Sequence, residues 1–180
     1  MEGAEPTISG RPKVGQRVTG TVTDWLPLGS SLTFAWFAGD TLLQSGTTRS
    51  LVVPPAAAGK TILLRVTETR SGYEPLTRES ARTAEVAPGA LTVSSPRVIG
   101  AARIGNTLTV SSGYWGPPGV RLGHRWKVGK RLVPGPKGRR TSFRIPRSAR
   151  GKRISVIVTG TLAGYATVRR SSAPTSKVVR

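Results

Sequence analysis

The sequence predicts an all-β protein made of two tandem antiparallel β-sandwiches, and three observations carry that reading. Apolar and polar residues alternate with a period of two along most of the chain. Glycine (22) and proline (14) punctuate the apolar stretches and do not cluster, the pattern of frequent turns. The chain also repeats itself. Gly10, Gly15, Trp25, Trp36 and Gly39 recur 90 positions later as Gly100, Gly105, Trp115, Trp126 and Gly129. Pro54, Gly59, Lys60, Val66, Thr67, Gly72 and Tyr73 recur 92 positions later as Pro146, Gly151, Lys152, Val158, Thr159, Gly164 and Tyr165. The change of offset places two extra residues between Gly129 and Gly138, in the loop-like segment KRLVPGPKG. Residues 1–5 read as a leader, 6–87 as the first repeat and 88–180 as the second, including a short linker at Ala87-Pro88-Gly89.

The strands follow in order. In the first copy Val18 and Val22 alternate with Thr19, Thr21 and Thr23. Leu32, Phe34 and Trp36 share one face of the next strand. Ile62, Leu64 and Val66 share a face of a later one, opposite Leu63, Arg65 and Thr67. The second copy repeats this with Leu108 and Val110, then Leu122, His124 and Trp126, then Ile154, Val156 and Val158. Such alternation buries one face of each strand. No amphipathic helix of useful length competes with it. A unit of this size buries only about 60–65% of its unfolded surface. Its tryptophans, worth roughly 150–250 Å² each, therefore supply much of each core. With no cysteine in the chain, neither sandwich carries a disulfide.

The string PTISGRPKVGQRVTG, a following Trp25, LTFAWFAGD and AAAGKTILLRVTETRSGY resemble the immunoglobulin-like repeats found in tandem in secreted and surface proteins of actinobacteria. The second copy is similar to the same family through PRVIGAARIGNTLTV, Trp115, HRWKVGK and SARGKRISVIVTGTLAGY, and VAPGALTVSSPRVIG looks like its linker. Trp36 and Trp126 stand mid-strand, where an immunoglobulin-like sandwich keeps its central tryptophan. The resemblance implies a non-catalytic module of an exported protein, a spacer, attachment or binding unit beside neighbouring domains of a longer parent chain. It implies an extracellular or cell-surface location. It supplies no catalytic residues.

Enzyme chemistry finds little support in the residues. Gly59-Lys60-Thr61 matches the end of a phosphate-binding loop, but Pro54 stands where that motif needs glycine, and the segment enters a strand instead of a helix. His124 is the single histidine and has no ligand-type neighbours in sequence, so no zinc site is expected. It aligns with Phe34 and reads as a satisfied, partly buried side chain. The carboxylates are Glu2, Glu5, Asp24, Asp40, Glu68, Glu74, Glu79 and Glu85, all in the first copy and scattered. No general acid–base pair, hard-metal site or cofactor is expected. Tyr73 and Tyr165 read as hairpin residues that pack back on the sandwich edge. The start MEGAEPTISG is acidic and not a signal peptide. No stretch approaches the roughly 18 apolar residues of a membrane span. The chain is thus expected to be intracellular or a piece of a longer exported protein.

Charge is the feature that the repeat pattern does not require. Residues 1–89 hold nine Lys/Arg and eight Asp/Glu, a balance of +1, whereas residues 90–180 hold nineteen and none, a balance of +19. A coding bias toward arginine would act on both halves. Self-repulsion on this scale destabilises a compact domain, so a polyanion partner is expected. Arg125 and Lys127 point opposite His124 and Trp126 on their strand, and Lys130 and Arg131 follow at its end. Lys137, Arg139 and Arg140 lie in the lengthened loop; Arg144 replaces Val52; Arg147, Arg150, Lys152 and Arg153 crowd the next connection. These twelve are expected to form one polyanion-binding surface. The partners are an anionic cell-wall polymer, an acidic polysaccharide or nucleic acid. The first repeat then serves as a spacer. Two alternatives stand beside this: a non-specific nucleic-acid-binding protein, and a substrate-tethering region of a secreted hydrolase.

Overall fold

The computed structural model describes residues 3–25 and 30–180; Met1 and Glu2 of the expected leader lie outside them. The chain divides into two compact units, Met1–Ala90 with Ala163–Tyr165, and Leu91–Leu162 with Ala166–Arg180. Each is an antiparallel sandwich of the immunoglobulin-like kind.

In the first unit, β1 (Thr7–Ser9), β2 (Arg17–Thr21) and β5 (Ser50–Val52) form one sheet in the order β1-β2-β5. The other joins β3 (Ser31–Ala38), β4 (Thr41–Gly46), β6 (Ile62–Thr69) and β7 (Leu76–Glu79) in the order β4-β3-β6-β7. The second unit opens with β8 (Thr92–Val93), which pairs with β11 (Trp115–Gly116). Its three-stranded sheet runs β14 (Ser142–Arg144), β10 (Thr107–Ser111), β9 (Arg97–Ile99). Its four-stranded sheet is β13-β12-β15-β16, from β13 (Arg131–Leu132), β12 (Arg121–Val128), β15 (Ile154–Thr161) and β16 (Val168–Ser171).

The predicted inward faces are the observed ones except at Leu122, which is exposed at the start of its strand. Phe34, Trp36, Ile62, Leu64 and Val66 lie in one core, and Leu108, Trp126, Ile154, Val156 and Val158 in the other. Trp36 and Trp126 are fully buried. The second pair of tryptophans rests differently in the two units. Trp115 lies over Gly160, where a β-carbon would run into its ring. In the first unit the matching strand position is the buried Glu68, and Trp25 instead lies over Gly3 and donates to the Ala4 carbonyl at 3.0 Å.

One device in both units carries no periodic signal. β7 pairs with only the second half of β6, from Arg65 onward, and β16 covers β15 from Ile157 onward. The buried amides of the first halves still need acceptors. Hydroxyls just past the end of the neighbouring strand supply them: Leu64 N–H donates to Ser80 Oγ at 3.0 Å and Ile62 N–H to Thr83 Oγ1 at 3.0 Å. Val156 and Ile154 use Ser172 and Thr175 in the same way, at 3.0 and 3.1 Å. The spacing Ser-x-x-Thr past the last strand therefore substitutes for a longer strand.

Ser172→Ala removes the side-chain acceptor of a buried amide, a loss worth about 1–3 kcal/mol. We expect the midpoint of denaturant unfolding of the second unit to fall accordingly, with Ser80→Ala doing the same to the first. An unchanged midpoint in both variants would show that water replaces the hydroxyls.

Candidate functional site

The two units differ most at one sheet edge. In the first, β4 pairs with β3 from Phe34 to Ala38. In the second, β13 pairs only at Lys127–Leu132 and Val128–Arg131. The sequence explains the loss. After β13 comes Val133-Pro134-Gly135-Pro136, and a proline has no amide to continue a ladder. The last strand-like bond is Val133 N–H to the Trp126 carbonyl, 2.9 Å. The chain then turns at Gly135, with φ of 66°, into a 3-10 turn over Pro136–Arg139. Gly138 is buried there, and a β-carbon would run into the Val133 carbonyl. The loop is fixed at its far end by Trp126, whose indole N–H donates to the Arg140 carbonyl at 2.9 Å. Phe143 then stacks on Trp126, with ring centroids 5.5 Å apart.

The retreat of this edge leaves an open groove of about 1030 Å³ between the edges β13 and β14. Its apolar lining includes Ile104, Val128, Val133, Phe143 and Ile145, with Leu132, Pro134 and Pro146. Its cations are Arg131, Lys137, Arg140, Arg144, Arg147 and Lys152, all exposed, and no carboxylate lines it. Arg144 Nε donates to the Gly105 carbonyl at 3.3 Å and Lys152 Nζ to the Ser148 carbonyl at 3.0 Å. Those partners are neutral, so neither charge is compensated. Among the described residues the side chains of Arg131, Lys137, Arg140 and Arg147 make no hydrogen bond or ion pair, whereas Arg65 of the first unit is paired with Glu79.

The groove gathers six of the twelve cations expected to bind a polyanion. The other six do not line it. Arg125 and Lys127 face out from β12, opposite Ile157 and Ser155 of β15, because strand alternation puts them on the other side of the sheet from Val128. Arg121 shares that outer face, and so does Arg169, opposite Thr159. Both were missed, although the parity of β12 gives Arg121 directly. Lys130 sits in the turn before β13; Arg139, Arg150 and Arg153 are exposed outside the groove, with Arg153 held to the Thr175 carbonyl at 2.9 Å. In the first unit the outer sheet face is uncharged overall. Ala35 and Phe37 hold the places of Arg125 and Lys127, and Arg65 is paired with Glu79 at 2.7 Å and stacked over Phe37 at 4.9 Å.

Solved structures with resembling coordinates are multi-domain chains. The three N-terminal domains of the bacteriophage RB49 Highly Immunogenic Outer Capsid protein match 97% of this chain and 59% of theirs, at 14% identity and a TM-score of 0.37. The ICAM-5 D1–D4 ectodomain fragment matches 97% of this chain and 53% of its own, at 14% identity and 0.43. The amphioxus IgVJ-C2 molecule matches 91% and 98%, at 12% identity and 0.41. The chain thus spans little more than half the length of the first two. No protein-family model matches the sequence, and no curated protein matches it.

The remaining singled-out residues are structural in their surroundings. Gly59 has φ of 74° and its amide donates to the Val86 carbonyl at 2.9 Å, closing a turn into β6. Tyr73 does not pack back as expected: it is 53% exposed, with the Arg70 guanidinium 5.5 Å from its ring centre. No group of three or more His, Cys, Asp or Glu lies together among the described residues. His124 Nε2 lies 3.0 Å from Ser112 Oγ. The first unit has Phe34 and Val22 at those two places, so an apolar pair has become a polar one. The second unit has no carboxylate to orient the imidazole, so the pair lacks the third member that a nucleophilic serine uses.

Burial lowers the pKa of His124 from 6.5. A histidine whose folded pKa lies below its unfolded value contributes stability above the unfolded pKa, lost as pH falls through the folded one. We expect the second unit to lose thermal stability as pH drops below about 6.5, the histidine's unfolded value. Its lack of carboxylates leaves no other side chain to titrate there. The double variant Ser112→Val with His124→Phe, which restores the first unit's pair, removes that dependence. An equally steep fall in the double variant places the cause outside His124.

Proposed function

We propose that the chain is a non-catalytic attachment module in which the second unit binds an anionic polymer through its groove and the first serves as a nearly neutral spacer. The observation that carries this is the meeting of six uncompensated cations around one groove, in a unit with no carboxylate side chain. Like charges held this close favour a polyvalent counter-anion. Four of the six are arginine, whose planar fork meets phosphate or carboxylate oxygens in pairs. Binding then proceeds mainly by release of counterions, with little discrimination among sugars or bases. The polymers that fit an exported module of the kind the sequence resembles are those of a cell wall or cell surface. Nucleic acid fits the charge but finds no stacking platform: the groove's one aromatic ring, Phe143, is buried against Trp126, and single-strand binding relies on exposed rings.

The test is co-sedimentation of the whole chain with purified actinobacterial wall material at low and moderate salt. One variant carries Arg131, Arg140, Arg144 and Arg147 changed to Gln. A second, of equal net charge, carries Lys130, Arg139, Arg150 and Arg169 changed to Gln. We expect the first to bind at least about tenfold more weakly than the second, and the log–log salt slope of the parent to be roughly −4 to −5.5, the value for six neutralised sites. Equal losses in both variants mean that net charge acts without the groove. No sedimentation at low salt overturns the wall-polymer reading.

A further inference from the structure

We propose that the groove's preferred anion is an extended acidic polypeptide, which adds as a strand to the free edge of β14. This rests on the anion-binding reading above and narrows it to one kind of polymer. β14 is the outermost strand of its sheet. Thr141 accepts from the Val110 amide at 2.9 Å and the Ile145 amide donates to Asn106 at 2.9 Å, while Phe143 is paired with Leu108. Backbone groups alternate in direction along a strand. Those of Ser142 and Arg144 therefore point away from β10, toward the groove that both residues line. Neither has a backbone partner among the described residues.

In the first unit the corresponding strand, β5, is also outermost in its sheet, but one of its carbonyls is covered from the neighbouring sheet. There Gln44 of β4 donates its side-chain amide to the Ser50 carbonyl at 3.1 Å. Ser50 corresponds to Ser142. The second unit has lost this cover, because the segment that would carry it is Pro134-Gly135-Pro136. A free edge bordered by pockets for alternate side chains is the arrangement that strand addition uses.

The chemistry around that edge selects the occupant. Inward-pointing side chains of an added strand meet Val128 and Val133, which suit aliphatic residues. Outward-pointing ones lie beside Arg144 and its cationic neighbours, which suit carboxylates. A second copy of this chain is a poor occupant, since it brings a net charge of +20. Polysaccharides and nucleic acids satisfy the cations but offer no ladder of alternating amides and carbonyls to the edge.

The probe is a synthetic peptide of alternating Glu and Val, eight residues long, titrated into the intact chain. Two further peptides carry backbone N-methyl groups, one on every Glu and one on every Val; polyphosphate serves as the anion control. An added strand directs only one alternate set of amides at β14. We expect one methylated peptide to bind at least about tenfold more weakly and the other to match the parent within about twofold, the weaker one losing the backbone bonds and the rest of the chemistry unchanged. Amide exchange at Ser142 and Arg144 should slow with the parent peptide. If both methylated peptides bind like the parent, or if polyphosphate binds and the parent peptide does not, strand addition is wrong while anion binding by the groove stands. If neither peptide nor polyphosphate binds, both readings fail.

Discussion

The indole N–H of Trp126 and the carbonyl of Arg140, 2.9 Å apart, hold the second unit's distinctive edge in place. The loop between β13 and β14 has almost no ladder to fix it, because its prolines cannot donate. What remains is the Val133 bond to Trp126, the Arg140 bond to the same residue, and the stack of Phe143 on its ring. One buried residue thus anchors both ends of the cationic wall to the core, one through its main-chain carbonyl and the other through its indole. The first unit solves the same problem the other way. Its β4 ladder fixes the edge, and the buried Trp36 indole nitrogen has no partner among the described residues. The tryptophan is a packing residue in one unit and a packing residue plus a clamp in the other.

This separation of edge from core lets the second unit carry its charge. Two unit charges about 7 Å apart in water repel by only ~0.6 kcal/mol, and physiological salt screens beyond about 8 Å. Repulsion is thus tolerable when cations stay in solvent and are spread over more than one face. The structure does both. The groove holds six; Arg121, Arg125, Lys127 and Arg169 stand on the outer sheet face. No cation enters the hydrophobic core around Trp126.

Sequence made the strands and their buried faces legible, because alternation and the paired tryptophans are local signals. It also placed the inserted residues, by the shift from Trp126 at an offset of 90 to Pro146 at 92. It did not reveal the hydroxyl acceptors Ser80, Thr83, Ser172 and Thr175, since a side chain that completes a distant ladder has no period. Trp25 and Trp115 align, yet only Trp115 finds a glycine beneath it on the long strand; Glu68 holds the matching position in the first unit. The site was half legible. Cations near one another in sequence were grouped together, but alternation sends Lys127 outward while Val128 lines the groove. The groove itself joins residues around Ile104 to residues between Val128 and Lys152, a meeting that depends on tertiary structure.

The basic groove therefore has two separable origins. Substituting cations into the first unit's frame would charge its surface without opening it, because β4 and Gln44 already occupy the edge beside Ser50. Shortening that strand without the cations would expose the backbone of an edge strand, which proteins ordinarily cover or blunt with charge. In the second unit both changes coincide: the proline-rich insertion withdraws the strand, and arginines and lysines surround the edge it uncovers. The same cations that attract an anionic partner also repel a second copy of the chain. An open edge is thus kept from pairing with itself while staying available to a partner of opposite charge.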